Sequence, residues 1–244
     1  MDAARLATLL RERQPAVALP GAGVSTESGI PDFRSPGGVW ERYDPMEYAT
    51  IDAFRRDPRK VWEFYGLRLR ALAQAEPNDA HRALAELERR GLLRAVVTQN
   101  IDTLHEQAGS REVVEVHGSI RTAVCLVCGV RVPRAEVVRL VDEHGAPPCP
   151  GCGEVLKPDV VMFGELLPAR AIDRATELAR EAALLLVVGS TLEVWPVAGL
   201  PHETLAGGGI VAIVNRGPTA FDSHAALRLE GRAGEILLAV LDAL

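Results

Sequence analysis

The chain has 244 residues, long enough for one large domain or two unequal ones. Apolar residues make up 48% and charged residues 25%, a balance that excludes a disordered chain. No apolar run approaches the roughly 18 residues of a membrane helix, and a net charge of −6 without a basic stripe argues against direct nucleic-acid binding. The opening MDAARLATLLRERQ lacks the basic-then-apolar layout of an export signal, so a cytoplasmic location is expected, with neither membrane nor nucleic acid as partner.

Short runs rich in Val and Leu alternate with helical patterns along the chain. AVAL (16–19) predicts a first buried strand. Gly21, Ala22 and Gly23 follow it, then a Ser, a Thr and Glu27 in an expected helix start. The stretch from Glu27 through Asp32, Phe33 and Arg34 is punctuated by Gly29 and Pro31 and suits a loop that closes over a ligand. Residues 36–77 are helix-like and aromatic, with Trp40, Tyr43, Tyr48, Phe54, Trp62, Phe64 and Tyr65. Asn78 is a plausible N-cap of a helix that stops near Gly91.

A second strand, RAVVT (94–98), leads into Gln99, Asn100, Ile101 and Asp102. A third, VVEV (113–116), leads into His117 and Gly118. A helix over 171–182 precedes LLLVVG (184–189), which ends in Gly189, Ser190 and Thr191. IVAIV (210–214) ends at Asn215, and a last helical run starts at Glu235. Buried strands alternating with helices predict an α/β fold with a Rossmann-like parallel sheet covered on both faces. The expected division is 1–35, 78–118 and 156–244 for the sheet domain. Segments 36–77, a helical module, and 119–155, a zinc ribbon, then form a smaller inserted unit.

The four cysteines are Cys125, Cys128, Cys149 and Cys152, two C-x2-C pairs separated by 20 residues. Each pair turns two sulfurs onto one ion, and the two pairs complete a tetrahedron. Gly129 and Gly153 follow the pairs, where tight turns favour glycine. One structural zinc per chain is expected, and four thiolates leave it no open position for chemistry.

The polar motifs all fall directly after strands. In an open parallel sheet, that places them in one crevice beyond the carboxyl ends. Their convergence predicts a bound dinucleotide, with a diphosphate on backbone N–H groups near Gly21–Gly23. The G-x-G-x-x-G fingerprint is broken by Thr26, and no acidic residue ends a second strand about 20 residues on. A plain nicotinamide dehydrogenase is therefore a poor fit.

Together these residues resemble the sirtuin family, the NAD-dependent protein-lysine deacylases. The matching blocks are GAGVSTESGIPDFRSPGGVW (21–40), TQNID (98–102), HG (117–118), the four cysteines, KPDVVMFGE (157–165), GSTLEVWP (189–196) and IVN (213–215), in family order. The resemblance implies a cofactor-binding set of Gly21, Ala22, Gly23, Glu27, Asp32, Phe33, Arg34, Trp40, Gln99, Asn100, Ile101, Asp102, Gly189, Ser190, Thr191, Asn215 and Ala233. Within it, Ala22, Gly23 and the 28–34 loop wrap the diphosphate and nicotinamide ribose, and Phe33 shields the reactive ribose carbon. Gln99, Asn100 and Asp102 hold the nicotinamide end, and Ser190, Asn215 and Ala233 the adenosine. His117 is the implied catalytic histidine, titrating near neutrality so that it assists deprotonation of a ribose hydroxyl. That hydroxyl attacks the acyl carbon once the acyl oxygen has displaced nicotinamide, and water completes the reaction, giving free lysine and acyl-ADP-ribose. Segments 160–165 and 190–195, with Val160, Phe163, Gly164, Glu193 and Val194, resemble two strands between which an acyl-lysine peptide adds as an extended strand. Pro20 departs from the threonine common in the family, and Ser35 replaces a common glycine.

Within the helical run 59–73, Val61, Tyr65, Arg68, Leu69 and Leu72 share one face, with Arg59, Glu63 and Arg70 opposite. An arginine in an apolar stripe needs an anion, or its stem packs while its head reaches solvent or an internal carboxylate. Tyr-x-x-Arg here looks like the signature of the sirtuin subgroup that removes succinyl and malonyl groups. Arg68 and Tyr65 are thereby implied to bind the acyl carboxylate. Two other readings remain beside the deacylase. One is an NAD-dependent protein ADP-ribosyltransferase, and the other a non-catalytic binding module docking through the ribbon.

Overall fold

The computed structural model describes residues 2–244. Helix α1 (Asp2–Glu12) leads into strand β1 (Ala16–Pro20). Three helices follow, α2 (Pro45–Tyr48), α3 (Ile51–Arg56) and α4 (Pro58–Gln74). Then come α5 (Asp79–Arg89), β2 (Ala95–Thr98), α6 (Leu104–Gln107) and β3 (Val113–Glu115). The middle of the chain forms β4 (Gly118–Val124), β5 (Arg131–Pro133), α7 (Arg134–His144) and β6 (Lys157–Val160). The last third is α8 (Ala169–Glu181), β7 (Leu184–Val188), α9 (Leu200–Ala206), β8 (Ile210–Asn215), β9 (Leu227–Glu230) and α10 (Ala233–Asp242).

Six strands form one parallel sheet in the order β3-β2-β1-β7-β8-β9. Adjacent residues of each strand point to opposite faces, and here both faces are covered. Ala16, Ala18, Leu184, Leu186 and Val214 pack with Leu6, Leu84 and Leu237 of α1, α5 and α10. Val17, Leu19, Leu185, Val187 and Ile213 pack with Leu178 of α8 and Leu200 of α9. This explains the near-continuous apolar strands and matches the expected fold class.

A second sheet, antiparallel in the order β5-β4-β6, carries the cysteines. Its apolar side shares one core with α3, α4 and α7, including Phe54, Trp62, Phe64, Ile120, Val132 and Leu156. Trp62 Nε1 donates to the Leu156 carbonyl at 2.7 Å across that core. Helix α4 starts on Asp57, whose side chain accepts from the Lys60 N–H, and α5 starts on Asn78 in a capping box with His81.

Three local expectations are corrected. Residues 22–28 form a 3-10 helix ended by Gly29 in the left-handed region, where an α-helix start was expected. Strand β9 was not foreseen, because Arg228 and Glu230 alternate with Leu227 and Leu229 on an edge strand. Of segments 160–165 and 190–195, only Val160 lies in a regular strand, the end of β6, because the rest has no continuous strand partner. Phe163 makes only an isolated bridge to Thr50. Among the described residues no helix is long and apolar enough to cross a membrane.

Candidate active site

The order of the parallel sheet reverses between β1 and β7, and the loops leaving their carboxyl ends part there. Between them opens a cavity of about 280 Å³ lined by Gly21–Gly23, Gly189–Thr191, Asn215 and Ala233. Gly21 and Gly23 are required because the two loops touch. A Cβ on Gly23 would meet Gly189 O at 2.8 Å, and one on Gly21 would meet Ser190 Cβ at 2.8 Å. Their N–H groups are also committed, to Val188 O and Gly189 O, each at 2.9 Å. Of the backbone N–H groups expected to receive a diphosphate here, those of Gly21 and Gly23 are thus already paired. The free donor in the turn is the Ala22 N–H, which has no partner among the described residues. With the Thr191 hydroxyl, Asn215 and the Arg34 guanidinium around it, this polar cavity fits an adenosine diphosphate moiety.

Several expected cofactor residues act through the frame of this cavity. The Glu27 carboxylate accepts the Gly234 N–H at 3.0 Å and ties the 22–28 turn to the start of α10. Asp32 accepts the N–H groups of Arg34 and Ser35 at 3.1 and 2.8 Å and shapes the 28–38 loop. The Asn215 amide donates to the carbonyls of Arg216 and Gly217. Gln99 donates to Ser190 Oγ at 2.9 Å and joins the loops after β2 and β7.

A second cavity of about 520 Å³ adjoins the first, and Ala22, Phe33, Arg34, Gln99, Asn100, His117 and Val194 line both. His117 stands at this junction. Its Nδ1 lies 3.0 Å from the Gln99 carbonyl, an acceptor, so Nδ1 carries the proton and Nε2 is left as the base. Burial pulls the imidazole below its ordinary pKa, and the bond to Gln99 opposes that shift. Behind it, Ser25 Oγ donates to Asp102 at 2.7 Å and accepts from Asn100 Nδ2 at 3.0 Å. Asn100 is anchored further on the Gly21 carbonyl at 3.2 Å. Ser25 had no assigned role in the sequence reading. Only its position after the Gly-Ala-Gly turn hinted at one.

The deep end of the second cavity holds Tyr65 and Arg68 of α4 with Phe33, Trp40, Phe64 and Ile101. Trp40 belongs here and not to the adenosine side. The Arg68 guanidinium lies over the Phe33 ring at 4.9 Å and the Phe64 ring at 5.5 Å. Among the described residues it has no carboxylate within ion-pair distance, so an internal carboxylate partner is excluded. Burial lowers its pKa, and Tyr65 and Asp102 oppose that. Burial pushes the Tyr65 hydroxyl up to about 12, so it remains a donor. Val160, Phe163, Gly164, Val194 and Trp195 also line this cavity, with Leu166 almost fully exposed. Glu193 lies on the adenosine side, 3.6 Å from Arg34 Nε and bonded by the Thr191 hydroxyl. All the expected cofactor and acyl-peptide residues thus line one or other of two contiguous cavities.

The four cysteine sulfurs all lie within 4.8 Å of one another. Each pair closes a matching turn, with Gly129 N on Cys125 O and Gly153 N on Cys149 O, both at 2.9 Å. The Cys128 and Gly151 N–H groups approach the Cys125 and Cys149 sulfurs at 3.5 and 3.4 Å. This donor set fits a four-coordinate structural zinc.

A dinucleotide-type crevice, a histidine where it meets a second and largely apolar cavity, and a four-cysteine cluster define an enzyme of the nucleotide-binding α/β class. The sequence model of the Sir2 family matches residues 21–196. The NAD-dependent protein deacetylase of Sulfurisphaera tokodaii is 47% identical over 242 residues, covering 99% of this chain and 96% of the relative. The NAD-dependent protein deacylase of Thermococcus kodakarensis is 47% identical over 234 residues, covering 95% and 91%. A solved Sir2 histidine-to-alanine variant with a deacetylated p53 peptide and 3'-O-acetyl ADP-ribose superposes with a TM-score of 0.96 at 39% identity, covering 99% of this chain and 98% of that one. Sir2Tm bound to a propionylated peptide gives a TM-score of 0.91 at 38% identity, covering 99% and 98%. The chain belongs to the Sir2 family of NAD-dependent protein deacylases.

Proposed function

We propose that this chain removes acyl groups from protein lysines with NAD as co-substrate, and that it accepts succinyl and malonyl groups as well as acetyl. The observation that carries the acyl preference is the Arg68 guanidinium, which lines the second cavity without a carboxylate partner. Tyr65 lies three residues earlier on the same helix and also has no hydrogen-bond partner among the described residues. A half-buried cation beside an open hydroxyl suits a carboxylate at the end of a short acyl chain. An acetyl group leaves both unused.

When bound, NAD supplies the ribose carbon that takes up the acyl oxygen. The residues divide the remaining work. Phe33 walls the junction against water, with the Trp40 ring of the second cavity packed 5.0 Å behind it. Ser25, Asn100 and Asp102 form a linked polar set for the nicotinamide end. His117 Nε2 takes a ribose hydroxyl proton and returns it to the leaving amine. The peptide adds along 161–166 and 192–195, where the backbone N–H groups of Gly164, Leu166, Glu193 and Trp195 lack protein partners among the described residues. Four reduced cysteines suit a reducing compartment, so the reading includes the cytoplasm. The zinc supplies a fixed fold to the ribbon, outside the chemistry.

The test compares kcat/KM on succinyl- and acetyl-peptides for the wild type and Arg68→Met. The variant should lose about ten- to a hundredfold on the succinyl substrate, the worth of a charge-assisted bond, and little on the acetyl one. An unchanged succinyl-to-acetyl ratio refutes the acidic-acyl preference. Free lysine with acyl-ADP-ribose among the products, and no ADP-ribosylated protein, separates this reading from a transferase.

A further inference from the structure

The segment after β6 is held by a charged group that the reaction does not use. Lys157 is 3% exposed. Its ammonium donates to Pro158 O at 3.1 Å and to Val160 O at 2.6 Å, and it pairs with Glu165 Oε2 at 2.9 Å. Three donors meet three acceptors, so the ammonium is fully satisfied. The same Glu165 oxygen accepts the Met162 N–H at 2.8 Å. One ion pair therefore closes residues 157–165 into a ring. On its outer side Phe163 is bonded through N–H and carbonyl to Ala49 and Ile51, at 2.9 and 3.0 Å. What remains unpaired is the edge carrying the Gly164 and Leu166 N–H groups, and both residues line the cleft.

We propose that Lys157 and Glu165 are positioning residues for the acyl-peptide. Their ion pair fixes the backbone edge to which the peptide adds, and it does so without touching the reacting atoms. The inference rests on the deacylase reading. A segment with no regular strand partner has no ladder to hold its shape, and the ammonium takes the place of one. Buried ion pairs contribute little net stability compared with apolar groups of equal volume. Removing both charges should therefore spare the fold and harm the alignment.

The test uses the zinc-loaded full chain. Glu165→Gln, Lys157→Arg and the paired replacement Lys157→Met with Glu165→Leu are assayed for peptide KM, NAD KM and thermal midpoint. Peptide KM is expected to rise roughly tenfold or more in Glu165→Gln and in the double variant. NAD KM should stay within about twofold of the wild type, and the double variant should keep its thermal midpoint. Lys157→Arg, which keeps the charge, should recover most of the peptide affinity. An unchanged peptide KM in the Glu165→Gln enzyme overturns the inference, and so does an equal rise in both KM values. A wild type that releases no nicotinamide with any acyl-peptide defeats the deacylase reading itself, and the inference with it.

Discussion

Burial holds the His117 imidazole below its ordinary pKa of 6.5. The neutral, base form therefore persists to lower pH than in an exposed histidine. The acid limb of kcat/KM on acyl-peptide should be centred below pH 6.5, with activity falling as pH drops through it; a limb above 6.5 contradicts the assignment. His117→Ala should lose roughly 10²- to 10⁴-fold in turnover while NAD affinity, measured by calorimetry, is retained. Deeper in the molecule, His105 has both ring nitrogens buried without a partner among the described residues, and its ring lies 4.8 Å from that of His81, tilted by 57°. Burial lowers the His105 pKa to about 3, from 6.5 when unfolded. Between those values the unfolded chain binds the extra proton, so stability falls as pH drops. In urea unfolding, His105→Leu should regain about 2 kcal/mol relative to the wild type between pH 7 and pH 5. No change in the gap between the two proteins removes His105 as the cause. His117 was singled out in the sequence by its place in the family's HG block, since a histidine after a strand is by itself more often structural. The bond between Ser25 and Asp102 was not, because 77 residues separate them and only the fold brings them to 2.7 Å.

At the scale of elements, strands and helices followed from pattern wherever burial is two-sided or caps are explicit. Strands β1, β2, β7 and β8 are short apolar runs, and α5 begins on the foreseen Asn78. In α4 the apolar stripe is buried as its 3.6-residue period required, with Arg68 at its edge. Elements failed where no local period exists. The 161–166 segment draws its shape from Lys157 and from contacts near Ala49, neither visible as a pattern. The joint between the loops after β1 and β7 is the sharpest such contact. Gly189 has φ of +59°, and a Cβ there would meet the Val24 nitrogen at 2.4 Å. Gly189→Ala should therefore lower stability by about 1–3 kcal/mol and weaken NAD binding as the loops separate. A thermal melt and a calorimetric titration measure the two effects, and a variant matching the wild type in both rules out the steric joint.

At the scale of the whole molecule, the parallel sheet has two cores of its own, and a third core joins the helices of 45–74 to the cysteine-bearing sheet. We propose that these are separable units, with the cysteine-bearing one running on through β6 (Lys157–Val160), past the boundary at 155 that the sequence suggested. Chelation should then unfold the third core first and abolish acyl-peptide turnover, while the ellipticity of the parallel sheet largely survives. A single cooperative loss of both signals contradicts that separation. The sequence by itself determined the alternation of strand and helix, the cysteine quartet and the edge of the sheet where function sits. Those depend on local period and spacing, which a linear chain carries. Only the tertiary structure decided that Arg68 has no carboxylate partner, that the glycine N–H groups are already spent, and that Lys157 clasps Glu165. Those facts depend on which groups meet across the fold, and pairing in space has no signature in one dimension.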